Sequence, residues 1–136
     1  MMARVRGKDT KPELYVRSTV HREGFRYRLH DARLPGKPDL AFPRYRIAVF
    51  VHGCFWHGHD CPRGWRPSSN VEFWDAKIDA NVARDREKQA ALKESDWTVV
   101  VIWECRLEED TKALTERLTA ERERQRASLS SKELAR

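Results

Sequence analysis

The sequence lacks any apolar run near the roughly 18 residues that a membrane-spanning helix requires. Its first residues also lack the apolar core that marks a secretory signal. With 40% apolar and 35% charged residues, the composition is typical of a globular protein. We therefore expect an intracellular, cytoplasmic protein without a membrane partner.

Cysteines are few: the chain has three, so they cannot all pair with one another in disulfides. Inside a cell, thiols near histidines more often bind metal than form disulfides. The sequence also lacks internal repeats and low-complexity linkers, and a length of 136 residues fits one domain. We expect a single domain over residues 1–136, in which about 111–136 form a peripheral charged helix and tail.

Positive charge is concentrated at the start of the chain. Residues 1–46 contain 12 Lys and Arg against 5 Asp and Glu, a surplus of seven that exceeds the net charge of +6 of the whole chain. Arg4, Arg6, Lys8 and Lys11 lead this surplus. A basic front indicates a polyanionic partner, although it is equally compatible with a role in solubility.

Apolar periodicity predicts seven elements in the order α-β-β-β-α-β-α. The predicted helices cover residues 11–23, 69 or 70–94, and 111–126, after which the tail is expected to fray. The predicted strands cover residues 25–29, 39–42, 47–51 and 97–103, and the last of these has the most buried composition. This order predicts an α/β fold, with a mixed sheet flanked by helices.

A group of thiols and imidazoles indicates a metal site. Cys54, His57, His59 and Cys61 fall within eight residues, and Cys105 directly follows the last predicted strand. Structural zinc takes four tetrahedral nitrogen or sulfur ligands, so three thiols and one of the two imidazoles would complete a site. The alternative is a set of unrelated buried thiols, because cysteine is often a small core residue.

Three further side chains indicate acid–base and metal chemistry. Asp39 opens the second predicted strand and, with a backbone carbonyl and phosphate oxygens, could hold Mg²⁺. His57, on the loop after the third predicted strand, could take a proton from an attacking water. Glu13 could orient that histidine, or it could serve only as the acid of the capping box that begins with Thr10.

The proposed metal loop and the segment after it are rich in aromatic residues. Phe55 and Trp56 lie between Cys54 and His57, and a further three aromatic residues follow at Trp65, Phe73 and Trp74. Loops usually face water, so this density is unusual. The rings could form a small core around the metal, or they could stack on or between nucleic-acid bases.

Helical spacing places a second group of polar side chains on one face of the long predicted helix. The members recur at steps of three and four residues: Trp74, Lys77, Asn81, Arg84 and Lys88. A face of Lys, Asn and Arg is suited to phosphates and base edges, although it could also be simply solvated. Ile78, Val82 and Asp85 mark another face.

Four ordered blocks strongly resemble the very-short-patch mismatch repair endonucleases, and the likeness extends from about residue 2 to residue 107. The blocks are LPGKPD at 34–39, VHGCFWHGHDC at 51–61, FWDAKIDANVARD at 73–85 and VIWEC at 101–105. The resemblance implies a fold like that of restriction endonucleases, with one structural zinc. It also implies a Mg²⁺-dependent nick in double-stranded DNA, 5′ to the thymine of a T:G mismatch, which initiates repair of deaminated 5-methylcytosine.

The resemblance also implies roles for individual residues. The active-site matches are Asp39 as the magnesium-binding aspartate, His57 as the general base, Glu13, and His52 as a second histidine. The zinc-ligand matches are Cys54, His59, Cys61 and Cys105, which would leave His57 for catalysis. The DNA-contacting matches are Met2 as a minor-groove wedge, Phe55, Trp56 and Trp74 beside the mismatch, and Lys77 and Asn81 near the mismatched pair, to which the helix face adds Arg84.

This sequence departs from the family pattern in three places. Gly58 and Asp60 thin a stretch that is His-rich in some relatives, but neither falls at a ligand position. Position 51 is Val where some relatives have Thr, but the implied magnesium ligand is the backbone carbonyl, which Val51 supplies equally well. The N-terminus is short, with almost nothing before Met2, the residue that matches the minor-groove wedge. We expect a monomer, with other repair proteins as further candidate partners. The rival functions are a related nicking or restriction-like enzyme with another DNA target, and a zinc-stabilised DNA-binding module without catalysis.

Overall fold

The computed structural model describes residues 10–134. The helices are α1 (Lys11–Arg22), α2 (Val71–Glu94) and α3 (Leu107–Leu134). The strands are β1 (Arg28–Leu29), β2 (Leu40–Phe42), β3 (Ile47–His52) and β4 (Thr98–Trp103), and short 3₁₀ turns lie at Pro62–Gly64 and Glu104–Arg106. The seven predicted elements therefore occur in the predicted order.

The four strands form one mixed sheet in the order β1-β2-β3-β4. β1, β2 and β3 pair antiparallel, whereas β3 and β4 pair parallel, with His52 opposite Trp103 at the end of the register. A parallel pair needs a long crossover connection, and α2 lies in that connection. The carboxyl ends of β3 and β4 therefore meet at one edge of the sheet.

The core lies on both faces of β3. Ile47 and Val49 point to the side of the sheet that α1 and α3 cover, and Ala48 and Phe50 point to the opposite side with Leu92 of α2. The larger cluster joins the buried residues of two helices to those of the sheet, and its helical members are Val16, Val20, Leu114 and Leu118. These side chains fix both helices against the sheet.

The start of α1 is locally determined by the capping box that the sequence predicts. The Thr10 hydroxyl accepts a hydrogen bond from the Glu13 amide at 3.3 Å, and the Glu13 carboxylate accepts one from the Thr10 amide at 3.4 Å. The same carboxylate side chain is buried, with 2% of its surface exposed. The capping box therefore also holds a buried carboxylate in place.

The first strand is shorter than the predicted 25–29. Phe25 is buried in the core and Tyr27 packs against it, but neither residue belongs to β1. In the β1–β2 register, Arg26 would stand opposite Pro43, which has no amide hydrogen to continue the ladder. The alternating pattern thus identified Phe25 and Tyr27 as core residues, but it overstated the strand and wrongly predicted a buried Leu29, which is 42% exposed.

Two expectations about the later elements are wrong. β4 has one buried residue, Ile102, whereas five of the six residues of β3 are buried, because β4 forms the edge of this sheet and β3 lies inside it. α3 begins earlier than residue 111 and continues to Leu134, so the expected frayed tail is helical that far. Three acidic residues in its first turn favour the earlier start, because they oppose the positive end of the helix dipole.

Asn70 precedes α2 as predicted, yet it does not cap that helix through its side chain. Its backbone is left-handed, with φ 52°, and its side chain makes no capping hydrogen bond.

None of the helices in the described part of the chain has both the length and the apolar content that crossing a membrane requires.

Candidate active site and Cys–His cluster

The loop after β3 and the turn after β4 bring a set of thiols and an imidazole together. The donor atoms of this Cys–His cluster all lie within 4.8 Å of one another, and its members are Cys54, His59, Cys61 and Cys105. The backbone shapes the loop through bonds from the His59 amide to the Cys54 carbonyl at 3.0 Å and from the Cys61 amide to the His59 carbonyl at 2.9 Å. Of the two histidines that the sequence left open, the structure groups His59 with the thiols.

The donors of this cluster are compatible with zinc. Three sulfurs and one imidazole nitrogen within reach of a single point are the composition of a closed structural site. Burial raises the pKa of the Cys54 thiol to about 12, so this thiol would remain protonated without a cation beside it. The donor set therefore fits a metal better than it fits three free thiols.

Asp39 lies just before β2 and is tied to β3. Its Oδ2 accepts a hydrogen bond from the Val51 amide at 2.7 Å, which fixes the carboxylate at the carboxyl end of β3. Burial raises the pKa of Asp39 to about 6, even though this hydrogen bond opposes the shift, and the nearby Glu13 carboxylate raises it further. A buried carboxylate with a raised pKa is suited to binding a cation, because a cation restores the charged form.

Glu13 is hydrogen-bonded to Thr10 and His30 rather than to His57, so of the two roles that the sequence left open the structure shows the capping box. Its Oε1 is hydrogen-bonded to the Nε2 of His30, and that nitrogen lies 3.9 Å from Oδ1 of Asp39. The three groups form one of two further candidate metal sets among the described residues, with all donor atoms within 4.8 Å of one another, and the other set is His52, His57 and Asp85. His30 is thus a site residue that the sequence analysis missed.

His57 is oriented by a different acid. Its Nδ1 lies 2.6 Å from Oδ2 of Asp85, a residue of α2 that the sequence analysis placed on a helix face without a site role. Burial would raise the pKa of Asp85, but the hydrogen bond and charge of His57 outweigh burial, so the pKa is lowered. Asp85 is therefore an ionised partner that holds the Nδ1–H tautomer of His57.

His52 lies against both His57 and Asp85. Its ring stacks on that of His57 with the centroids 3.8 Å apart and the planes 2° from parallel, and its Nε2 lies 4.0 Å from Oδ1 of Asp85. Burial lowers the pKa of His52 to about 4, and the neighbouring His57 contributes to the shift. His52 is therefore uncharged near neutral pH and offers a neutral ring to its neighbour.

Two adjoining clefts open onto these groups, and both are lined by Asp39, Val51 and His57. The first, of about 410 Å³, also has His30, Lys37, His52, Asp85 and Lys88 in its wall. The second, of about 480 Å³, also has Glu13, Phe55, Trp56, Asn81 and Glu104 in its wall. The candidate groups for metal binding and for proton transfer thus lie at the residues that the two clefts share.

The half-buried aromatic residues of the loop pack on a residue of α2. Phe55 contacts Trp56 with centroids 5.1 Å apart, and Trp74 lies 5.4 Å from Phe55 and 5.9 Å from Trp56. The ring that stacks on the Cys–His cluster is instead Trp103, at 4.0 Å from His59. Phe55 and Trp56 therefore line the second cleft, and Trp74 packs against both of them.

Polar residues of α2 lie beside these aromatic residues. The Nζ of Lys77 lies 5.8 Å from the centre of the Trp56 ring, and the Asn81 amide donates to the Trp56 carbonyl at 3.0 Å. Arg84 is exposed and donates to the Asn81 side chain. Together with Phe55 and Trp74, six of the seven residues predicted to contact DNA are thus adjacent on the structure, whereas Met2 lies outside the described residues.

The comparisons with known proteins agree on one family. The family described as "DNA mismatch endonuclease Vsr" matches residues 1–63. The type II nicking enzyme V.XorIIP of Xanthomonas oryzae pv. oryzae is 52% identical over 118 residues, which cover 87% of this chain and 86% of that protein.

Two further relatives cover similar parts of the chain. The type II nicking enzyme V.NmeAIP of Neisseria meningitidis is 45% identical over 107 residues, 79% of this chain and 76% of that protein. The DNA mismatch endonuclease Vsr of Escherichia coli is 42% identical over 121 residues, 86% of this chain and 78% of that protein. The chain therefore belongs to the Vsr DNA mismatch endonuclease family and is a DNA-nicking endonuclease.

Proposed function

We propose that the protein nicks one strand of duplex DNA on the 5′ side of the thymine in a T:G mismatch, and thereby initiates very-short-patch repair of deaminated 5-methylcytosine. The observation that supports this best is the shared cleft. Phe55 and Trp56 line the same wall as Asp39 and His57. Rings that open a weakly stacked base step would therefore lie beside the groups that act on its phosphate.

The base in this reaction is His57. Because Asp85 holds Nδ1–H, the Nε2 lone pair is free to take a proton from water. The activated water adds to phosphorus, the bond from phosphorus to the leaving sugar oxygen breaks, and that oxygen takes up a proton from solvent water. His52 packs flat against His57 and limits its rotation.

The catalytic cation in this proposal is Mg²⁺, held by the Asp39 carboxylate and the Val51 backbone carbonyl, with Glu13 nearby. Oxygen donors of this kind suit Mg²⁺, and the backbone donor is indifferent to the identity of side chain 51. When bound, such an ion supplies Lewis-acid stabilisation of the developing charge on the phosphate. Zinc in the Cys–His cluster is proposed to be structural.

In this proposal, three packed aromatic residues and the polar side chains of α2 recognise the DNA. Phe55, Trp56 and Trp74 would stack beside the mismatch, while Lys77, Asn81 and Arg84 would contact phosphates or base edges. Met2 would act as a minor-groove wedge. The proposal includes a single domain with a restriction-endonuclease-like fold. This domain acts as a monomer, and its further partners are other repair proteins.

The test is a magnesium-dependent nicking assay on duplexes with randomised flanks that contain one T:G, C:G or T:A pair. The proposal expects a nick at the T:G duplex, in the thymine strand, with matched duplexes cut at least about tenfold more slowly. Equal rates on the T:G and matched duplexes would contradict it.

A second candidate is sequence-directed nicking of matched DNA. The names of several relatives favour it, since V.XorIIP and V.NmeAIP are called type II nicking enzymes. In the same assay this function expects a preference among flanking sequences without a preference for the mismatch.

A further inference from the structure

His30 stands directly across the hairpin from Asp39. In the β1–β2 register Leu29 pairs with Leu40, and the His30 amide donates to the Asp39 carbonyl at 3.1 Å just beyond that pair. Residues opposite each other in an antiparallel pair point their side chains to the same face. The backbone thus places an imidazole beside the carboxylate that the proposed function assigns to the cation.

α1 brings a second carboxylate to the same point. Glu13 is fixed by its capping box with Thr10, and its other oxygen is bonded to the Nε2 of His30. The three side chains are largely buried, with 2% of Glu13, 15% of His30 and 18% of Asp39 exposed. Two carboxylates held together away from water repel each other unless a positive charge joins them.

One imidazole nitrogen and two carboxylate oxygens lie within 4.8 Å of one another, which is the spacing of ligands around a single ion. We propose that His30 is a direct ligand of the divalent cation, together with Glu13 and Asp39. This inference deepens the proposed function, on which it rests for the presence of a cation at Asp39.

A nitrogen ligand changes which cation the site prefers. Mg²⁺ prefers oxygen ligands and keeps much of its water, whereas imidazole binds transition metals more strongly. A site with His30 as ligand should therefore favour Mn²⁺ over Mg²⁺ by more than an all-oxygen site would. The ratio of Mn²⁺ affinity to Mg²⁺ affinity should therefore depend measurably on the side chain at position 30.

The test is Mn²⁺ binding to the full-length, zinc-loaded protein without DNA, followed by electron paramagnetic resonance. Wild type should bind Mn²⁺ with coupling to a directly bonded nitrogen. His30→Gln keeps an amide donor for Glu13 but loses the imidazole, and should weaken Mn²⁺ binding by about tenfold or more while Mg²⁺ binding changes less. His21→Gln, at an exposed histidine of α1, is the matched control and should change neither property.

Wild-type protein without nitrogen coupling would overturn the inference, as would His30→Gln with unchanged coupling and Mn²⁺ affinity. Position 30 has a left-handed backbone, with φ 46°, which Asn tolerates, so His30→Asn serves as the second variant should Gln impair folding. Because no DNA is present, failure of T:G nicking leaves this result intact. Conversely, wild-type Mn²⁺ binding that survives Asp39→Asn would locate the cation elsewhere and contradict the proposed function too.

Discussion

The ring of Trp103 stacks on that of His59 with the centroids 4.0 Å apart and meets the ring of His52 edge-on at 5.1 Å. One side chain at the end of β4 thus joins the Cys–His cluster to the ring that supports His57. Because aromatic packing is rigid and short-range, a change in the cluster should reach the proposed base through two intervening rings, those of Trp103 and His52.

Loss of the remote thiol tests this connection. Cys105→Ala should release zinc, lower the melting temperature by more than a typical core truncation, and slow nicking as well. Zinc content, melting temperature and nicking rate should be measured on the same preparation. Glu108→Ala, an exposed change in the next turn, is the control. Folded variant protein with normal stability and no zinc would show that the cluster does not hold the loop.

Asp39→Asn should abolish nicking while leaving affinity for DNA largely unchanged. The carboxylate is proposed to hold the cation, whereas affinity depends mainly on Lys and Arg contacts to phosphates. A nicking assay and a binding titration at one salt concentration check both halves. Retention of even a tenth of the wild-type rate would remove Asp39 from the proposed cation site.

The same variant should alter the dependence of stability on pH. The pKa of Asp39 is raised from 3.8 to about 6 in the folded protein, so folding favours its protonated form. The stabilisation that protonated Asp39 gives the folded state is fully present below about pH 4 and is lost as pH rises through about 6. The free energy of unfolding then falls by on the order of 3 kcal/mol. In magnesium-free buffer, Asp39→Asn should therefore become more stable than wild type between pH 4 and 7. Urea unfolding at several pH values measures the difference, and parallel curves for the two proteins would contradict the expectation.

Asp85→Asn should slow nicking roughly 10²–10⁴-fold, the range expected for loss of a general base, because the amide no longer fixes the Nδ1–H tautomer of His57. His57→Ala should have a similar effect, and the double variant should be little worse than either single one. Glu87→Gln, an exposed change on α2, should leave the rate unaltered. Additive losses in the double variant would mean that the two residues act separately.

Trp56→Ala or Trp74→Ala should weaken mismatch nicking about 10–100-fold, since stacking on a base contributes roughly 1–3 kcal/mol. Zinc content should not change, because the ring stacked on the cluster is that of Trp103. Trp65→Ala, at a ring that is 75% exposed, is the control. If the melting temperature falls while the ratio of T:G to C:G nicking holds, the rings are structural rather than intercalating.

Chain patterns predicted the sheet and most of its elements because apolar periodicity is a local property. They could not decide between His57 and His59, which lie two residues apart, since the choice depends on the direction in which a loop presents each ring. The family resemblance made the assignment that the structure also favours. The structure groups His59 with the thiols and gives His57 to Asp85.

Asp85 and His30 were missed for different reasons. Asp85 had a signal, because an acid on the helix face shared with buried Ile78 needs a polar partner. His30 had none, since its approach to Glu13 depends on the pairing register of a two-residue strand and on the packing of α1. A contact that depends on the relative positions of α1, β1 and β2 cannot be predicted from local sequence patterns.

The parallel pairing of β3 with β4 has a consequence for the order of folding events. Cys54 and Cys105 are 51 positions apart, and the crossover through α2 must close before the last thiol can reach the others. Closing so long a loop is entropically unfavourable, and Cys54, His59 and Cys61 supply only three of the four ligands without Cys105. Tight metal capture should thus coincide with docking of β4, so the rate at which refolding protein takes up zinc would report when the crossover is complete.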